Sequence, residues 1–515
     1  MKKIVIINLL VVVFISTCNR NTEKSNKTIA DNRPNFLFVL TDDQTYQSIN
    51  ALNNEEIETP NLDKLSEQGV TFSHCFNQGS WSGAVCVASR TMLITGQTVF
   101  KAPRNEPYLD DWAKTKNIKE ITEVPLWHEV FSANGYETFI TGKWHNSSYA
   151  LLKGFDKGEA IGAGYYETFD KTGSQKPGYG RGSYEDSVWR PWDASFTGNW
   201  EPKVNDIIYS EKGEKRIGID YTAEQHTSEL YADKAINYLM NDSKDLKSPF
   251  FMYVAFNAPH DPRQSPKEFV DKYPLSNIKV PKNYMEEHTF DQGDHRVRDE
   301  MLAPFPRTKE AVKLHRSEYY AIITHMDREL GRILEALETS GKADHTYVIF
   351  SSDHGLAVGQ HGLMGKQNQY DHSVRMPLIV RGPNLPRGKI VSKKVYLQSM
   401  FATTCDLASI KKPETVEFKS ISDLIKGGVN GGEEFIFGTY KGYQRMIRSD
   451  EYKLIIYPHN KMLQLFDLIN DPIEINDLSH NAKYQKIKKE LLNQLIKKQK
   501  ELGDYLLIDP MDYLK

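Results

Sequence analysis

Cys86 and Arg90 stand four residues apart in the stretch CVASRTMLITG, Cys86 to Gly96. In a helix that spacing puts both side chains on one face. If the helix begins near Cys86, its first N–H groups point to the same region and favour bound anions. A reactive group at 86 beside a guanidinium suits chemistry on a tetrahedral oxyanion. A buried structural cysteine fits this segment equally well, because free cysteines are among the most buried residues.

Other reactive side chains follow short apolar runs. Asp42 and Asp43 follow NFLFVL, Lys143 and His145 follow ETFIT, His260 follows FFMYVAF, and Asp353 and His354 follow YVIFSS. Each alone reads as a solvated turn residue or a helix cap. Their joint placement is what one shared cleft requires. Asp42, Asp43 and Asp353 offer hard carboxylate oxygens that suit Ca²⁺ or Mg²⁺. His354 adds a nitrogen, which leans toward a transition metal. The alternative is that Asp42 and Asp43 only cap the following helix. Lys143, His145, His260 and Lys366 provide cations and proton carriers. The set can supply an anion clamp and a general acid for a departing alcohol.

These residues need elements to hold them. The runs Asn35 to Leu40, Phe250 to Phe256, Tyr347 to Phe350 and Met376 to Val380 suit strands buried on both faces, as in a parallel sheet. Helical patterns lie between, over Glu224 to Leu239 and Ser317 to Glu338. The alternation predicts an α/β fold with a large, doubly wound, mostly parallel sheet. In such sheets functional groups sit beyond the carboxyl ends of the strands. Residues 154–202 break the pattern with GYGRGSYEDSVWRPWDASFTGNW. This reads as a substrate-facing insertion, or as a surface loop with its own aromatic cluster. After about residue 430, FIFGTY, RMIRSDEYKLIIY and KMLQLFDL read as short strands. A Lys/Leu-rich helix near Tyr484 to Leu502 follows them. The main α/β domain is therefore expected over 34–430, and a smaller α+β subdomain over 431–515.

Lys2 and Lys3 precede an apolar run, Ile4 to Ile15, too short to span a bilayer and suited to a signal peptide over residues 1–18. Cys18 follows Ile15-Ser16-Thr17, which resembles a bacterial lipobox and implies a lipid anchor through Cys18. Thr17 stands where Gly or Ala is usual, so ordinary cleavage stays open. Residues 19–33 read as a flexible polar tether. Both routes imply export, to the periplasm or the cell envelope. Without Cys18 three cysteines remain, Cys75, Cys86 and Cys405; an odd number in an exported chain flags a reactive thiol. A net charge of −3 gives no basic field for nucleic acid.

CVASRTMLITG resembles the signature of the formylglycine-dependent sulfatases, C-x-P-x-R followed by T-G, with Ala88 in place of the proline. NFLFVLTDDQ, GYETFITGKWH, FNAPHDP, SSDHGLAVGQHGLMGKQ and DLINDPIEINDL resemble further family segments, in order and across most of the chain. The resemblance implies an alkaline phosphatase-like α/β domain with a small C-terminal one. It implies that a maturation enzyme converts Cys86 to formylglycine (3-oxoalanine), whose hydrate attacks sulfur. Asp42, Asp43, Asp353 and His354 would hold Ca²⁺, or Mg²⁺, with the modified Cys86. His354 stands where Asn is also common. Arg90 would hold the formylglycine, Lys143 and His145 would orient the diol, and Lys366 would bind the sulfate. His260 would protonate the leaving group, and His145 or Asp353 would take the proton that expels sulfate. Tyr370, His372 and Arg375 either touch the sugar or structure their loop. The implied substrate is a sulfated polysaccharide or oligosaccharide. A phosphate or phosphonate monoester hydrolase on the same fold is the alternative. A non-catalytic glycan-binding lipoprotein is the third reading, disfavoured by the complete set of reactive residues.

Overall fold

The computed structural model describes residues 32–105, 123–164, 166–167, 180–294 and 296–514. The expected signal peptide, Cys18, nearly all of the tether and residues 168–179 of the insertion lie outside the described residues. Among the described residues, no helix is long and apolar enough to cross a membrane.

A single large sheet organises the chain. Its centre is four parallel strands: Glu137–Lys143, Phe250–Ala255, Asn35–Thr41 and Thr346–Ser352. The last three are buried at every position. Alternate side chains explain why these runs are continuously apolar. Phe36, Phe38 and Leu40 enter one core layer, and Leu37 and Val39 enter the layer on the opposite face. Helices cover both faces, as expected for a doubly wound sheet. The longest, Lys309–Thr339, begins two turns before its periodicity becomes visible; Thr308 caps it by accepting from Ala311 N at 3.1 Å. The helix expected from Glu224 is Thr227–Asn237, continued by a wider turn over Tyr238–Asp242.

Two expectations need correction. Arg375–Arg381, which contains MPLIV, runs antiparallel to both its neighbours, Thr346–Ser352 and Val70–Phe76. Its apolar content reports burial, not direction. The patternless stretch from residue 154 also contains a parallel strand, Lys157–Gly162. The later part of that stretch is anchored rather than loose. Arg181 makes a two-pronged bond to Glu318 of the long helix, at 2.8 and 2.6 Å, with its guanidinium 4.3 Å over Trp189.

Four antiparallel strands form the C-terminal sheet: Ile436–Tyr440, Gln444–Arg448, Tyr452–Tyr457 and Met462–Asp467. Helix Gln485–Leu502 covers one face. A fifth strand comes from far upstream: Gly79–Ser80 pairs parallel with Ile436–Tyr440. Gly79 has φ +92°, and a Cβ there would sit 1.8 Å from the Thr439 carbonyl oxygen, so the pairing requires glycine. Cys75, Cys86 and Cys405 are all free and buried, so Cys75 and Cys405 do not pair.

Candidate active site

Helix Val85–Thr95 is buried along its whole length, and the loop Gly83–Ala84 delivers Cys86 to its first turn. Cys86 Sγ lies 3.0 Å from Asp42 Oδ1, 3.6 Å from Asp43 Oδ1 and 2.8 Å from Lys366 Nζ. Arg90, one turn on, sends Nε to Asp353 Oδ2 at 2.8 Å and Nη1 to the Lys143 carbonyl at 2.9 Å. Lys143 Nζ is bonded to Asp42. Lys366 Nζ is 2.7 and 2.6 Å from the two Asp43 oxygens. Of the residues expected at separate strand ends, Asp42 and Asp43 reach the sulfur directly, and Lys143 and Asp353 join the cluster through Asp42 and Arg90.

Asp42 and Asp43 cap no helix; both side chains turn toward Cys86. Asp43 has φ +70°, a conformation that non-glycine residues adopt at a cost and that concentrates at functional sites. Tyr319 of the long helix fixes this bend by donating to the Asp43 carbonyl at 2.7 Å and accepting from Thr45 N at 3.0 Å.

His260 stands beside this cluster, with Nε2 3.8 Å from Asp43 Oδ2. Its Nδ1 is 2.7 Å from the Asp261 carbonyl, and Nε2 is 3.3 Å from Arg298 Nη2. A guanidinium only donates, and a carbonyl only accepts. The bond pattern thus assigns the neutral tautomer, with the proton on Nδ1 and the lone pair on Nε2. His145 occupies the turn after Lys143 with φ +60°, its ring against Gly164. Donor atoms of Asp42, Asp43, Cys86 and His260 all lie within 4.8 Å of one another, a group able to hold a metal ion. Asp353 adjoins this group, accepting from Asp43 N at 3.3 Å, but is engaged by Arg90. His354 lies outside it, with Nδ1 3.0 Å from the Gly355 carbonyl.

Burial sets the electrostatics. It pushes Asp43 up to about 8, against the pull of Lys366 and with help from Asp42 and Asp353. Asp42 moves up for the same first reason, then through Asp353. Burial also raises Asp353, but Arg90, Lys143 and Lys366 outweigh it and hold that carboxylate ionised. The Cys86 thiol is driven well above its usual range by burial and the three carboxylates. An unmodified thiol here is a poor nucleophile. Burial, followed by Lys366 and Lys143, depresses His260; burial and Lys143 depress His145.

Tyr370, His372 and Arg375 are buried, and their side chains are engaged by other protein groups. The Tyr370 hydroxyl donates to Gln464 at 2.8 Å, its ring stacks on His361 at 3.9 Å, and Arg375 Nε reaches the Ser73 carbonyl at 2.7 Å. They structure their loop. Arg298 and Asp299 were not anticipated. Arg298 is bonded to Asp261 and sits 2.5 Å from Asp299 Oδ1; Gln367 Nε2 is 2.8 Å from Asp299 Oδ2. A short helical turn, Arg298–Leu302, carries both residues, and no strand run precedes it to mark them.

The geometry agrees with comparisons to known proteins. The sulfatase family model matches residues 34–410, and the model described as N-sulphoglucosamine sulphohydrolase, C-terminal, matches 359–501. A sulfatase of Formosa agariphila is 28% identical over 507 residues, spanning 95% of this chain and 91% of its own. An N-acetylglucosamine-6-O-sulfatase of Bacteroides thetaiotaomicron is 26% identical over 542 residues, spanning 92% of this chain and 87% of its own. The solved structure of a phosphonate monoester hydrolase from Agrobacterium radiobacter shares the fold, with a TM-score of 0.68, 19% identity, and 91% and 96% of the two chains covered. The matched family model spans most of the chain, from the Asp42–Asp43 bend through the Cys86 helix to the Lys366 loop: this protein belongs to the sulfatases, enzymes that hydrolyse sulfate esters.

Proposed function

We propose that the protein removes sulfate from a sulfated polysaccharide or oligosaccharide, using formylglycine derived from Cys86 and a divalent cation. The observation that carries this reading is the convergence of Cys86, Arg90, Lys143, Lys366 and three aspartates on one buried point. The residues fit a hard cation. Buried carboxylates crowd together, and the Lys366 ammonium, itself a cation, sits against Asp43. Asp42, Asp43 and Asp353 would hold Ca²⁺, or Mg²⁺, through oxygen, with the group at 86 and His354 completing the set and His260 left free to handle the proton. When present, the ion and the aldehyde hydrate supply a charged oxygen nucleophile and a counter-charge for the sulfate.

The remaining work belongs to the chain. Arg90 fixes the first turn of the Cys86 helix against Asp353 and the Lys143 carbonyl. Lys366 and Lys143 bring positive charge to the place where the sulfate oxygens gather. Bound sulfate raises the proton affinity of His260, and Nε2 is the atom positioned to pass a proton to the leaving oxygen. His145, held neutral first by burial and then by Lys143 and its other cationic neighbours, is suited to take the proton that expels sulfate.

A saccharide substrate is supported by the relative that carries the name N-acetylglucosamine-6-O-sulfatase. Export through residues 1–18, followed by anchoring through Cys18 or by ordinary cleavage, belongs to the same reading. Desulfation of a panel of defined sulfated saccharides, set against matched phosphate and phosphonate esters, tests it. We expect sulfated saccharides to be the faster substrates; faster phosphate or phosphonate turnover overturns the reading. Mass spectrometry of the Cys86 peptide tests the modification directly.

A further inference from the structure

We propose that Arg298 is a further catalytic residue: its guanidinium, held beside His260, donates a hydrogen bond to the oxygen that leaves with the sugar. The proposal rests on the reading of His260 as the proton donor and adds a second group at the same oxygen.

Two clamps place this side chain. Glu300, in the same short turn, accepts from Met364 N at 2.9 Å and Gly365 N at 2.8 Å, and Arg307 Nη2 is 2.6 Å from its carboxylate. Asp299 accepts from Gln367 Nε2 at 2.8 Å. The turn is therefore fastened to the loop that carries Lys366. On the other side Arg298 is bonded to Asp261, the residue after His260. Its Nη2 lies 2.5 Å from Asp299 Oδ1 and 3.3 Å from His260 Nε2. One guanidinium thus joins the segment of the proton donor to the segment of the sulfate-binding lysine. Two carboxylates orient its donors before substrate arrives, and donors fixed in advance are the ones that stabilise charge appearing during a reaction.

Exposure gives the direction. Cys86 is 2% exposed and His260 5%, while the Arg298 side chain is 30% exposed. The three residues mark a path outward from the buried cluster. An ester that sets its sulfur over residue 86 sends its alcohol out past His260 and Arg298.

The hydrogen-bond inventory decides what Arg298 does there. In the free enzyme Nη2–H points at the lone pair of His260 Nε2. A guanidinium cannot accept, and neither can a ring nitrogen that carries a proton. Once His260 takes from solvent the proton it is to deliver, the two groups become donors that face each other. The leaving oxygen is an acceptor within reach of both, because hydrogen bonds of ordinary length from two atoms this close can meet on one oxygen. As the new bond to sulfur forms at residue 86, the bond from sulfur to the sugar oxygen breaks and its electron pair stays on that oxygen. The oxygen takes the proton from Nε2. Arg298 keeps all of its protons and offsets the charge until the transfer is complete. The two carboxylates around this one guanidinium leave a negative charge beside the ring, which balances the imidazolium.

The test compares phenyl sulfate, whose phenol leaves poorly, with nitrophenyl sulfate, whose phenol leaves well. The enzymes are the wild type, Arg298→Gln, His260→Ala and the double variant. We expect Arg298→Gln to lower kcat by ~100-fold or more on phenyl sulfate and by no more than ~10-fold on nitrophenyl sulfate. The ratio of the two losses cancels the amount of folded enzyme. Arg298→Lys keeps a charge between Asp261 and Asp299 and should move the ratio in the same direction, since an ammonium lacks the planar fork. In the His260→Ala background, Arg298→Gln should still cost about tenfold on phenyl sulfate. An equal loss on both esters overturns the proposal, because a structural role does not sense the leaving group. No further loss in the His260→Ala background also overturns it and leaves Arg298 only a positioning residue for the histidine. Equal losses on both esters in His260→Ala itself overturn the proton-donor reading beneath the proposal.

Discussion

Arg90 Nε lies 2.8 Å from Asp353 Oδ2, and neither side chain is open to solvent. The same guanidinium reaches the Lys143 carbonyl, so one residue ties the Cys86 helix to the ends of two strands. Arg90→Lys keeps the charge but cannot span both partners. We expect kcat to fall at least ~100-fold, a loss typical of one misplaced charge-stabilising donor. Arg90→Ala leaves Asp353 charged and buried, and should cost about 3–5 kcal/mol of stability. Thermal unfolding and kcat on one aryl sulfate separate the two effects.

His260→Ala should reveal the proton donor through the leaving group. A general acid contributes roughly 10²–10⁴ in rate. The loss should be largest for sugar sulfates, whose alcohols leave poorly without a proton, and smallest for nitrophenyl sulfates. Equal losses on both would refute the role of Nε2.

Removing the metal should expose the carboxylates. Asp43 is held near 8 by burial, against 3.8 in an unfolded chain. A raised carboxylate contributes stability that is complete below its unfolded value and is lost as pH rises through its folded value. Chelator-treated protein should therefore melt at progressively lower temperature from about pH 5 to about pH 8. Added Ca²⁺ should flatten that slope by compensating the ionised Asp43. The same slope with and without Ca²⁺ would count against the ion site.

Ala88→Pro restores the usual family residue and probes the fold at the helix start. The Ala88 amide makes only a long bond, 3.4 Å to the Ala84 carbonyl. Losing it should cost no more than about 1 kcal/mol, so the melting temperature should stay within a few degrees. A large destabilisation would mean that this helix start is packed around alanine.

The parts of the molecule visible in the sequence share a physical cause. Asn35–Thr41, Phe250–Ala255 and Thr346–Ser352 are covered on both faces, so their apolar runs are unbroken, and the reactive residues just beyond them follow by position. Lys157–Gly162 escaped because KGEAIG has two glycines and a glutamate and lies toward the sheet edge. The direction of Arg375–Arg381 depends on how its connection crosses the sheet, which its composition does not record. Arg298 and Asp299 enter the site from an irregular segment, where no periodicity marks a side chain as inward. Tyr370, His372 and Arg375 look like cleft residues by proximity to Lys366, yet Tyr370 is bonded to Gln464 of the C-terminal sheet, Arg375 to the Ser73 carbonyl of the large sheet and His372 to its neighbour Ser373.

The pairing of Gly79–Ser80 with Ile436–Tyr440 has a consequence for the order of events during synthesis. The two partners are made at opposite ends of translation, and the strand at 79–80 leads within a few residues into the Cys86 helix. Until the last fifth of the polypeptide emerges, that lead-in has no edge to pair with and the neighbourhood of Cys86 stays incomplete. In the finished fold Cys86 is only 2% exposed. On the formylglycine reading, the oxidising enzyme would have to act while this lead-in is still unpaired.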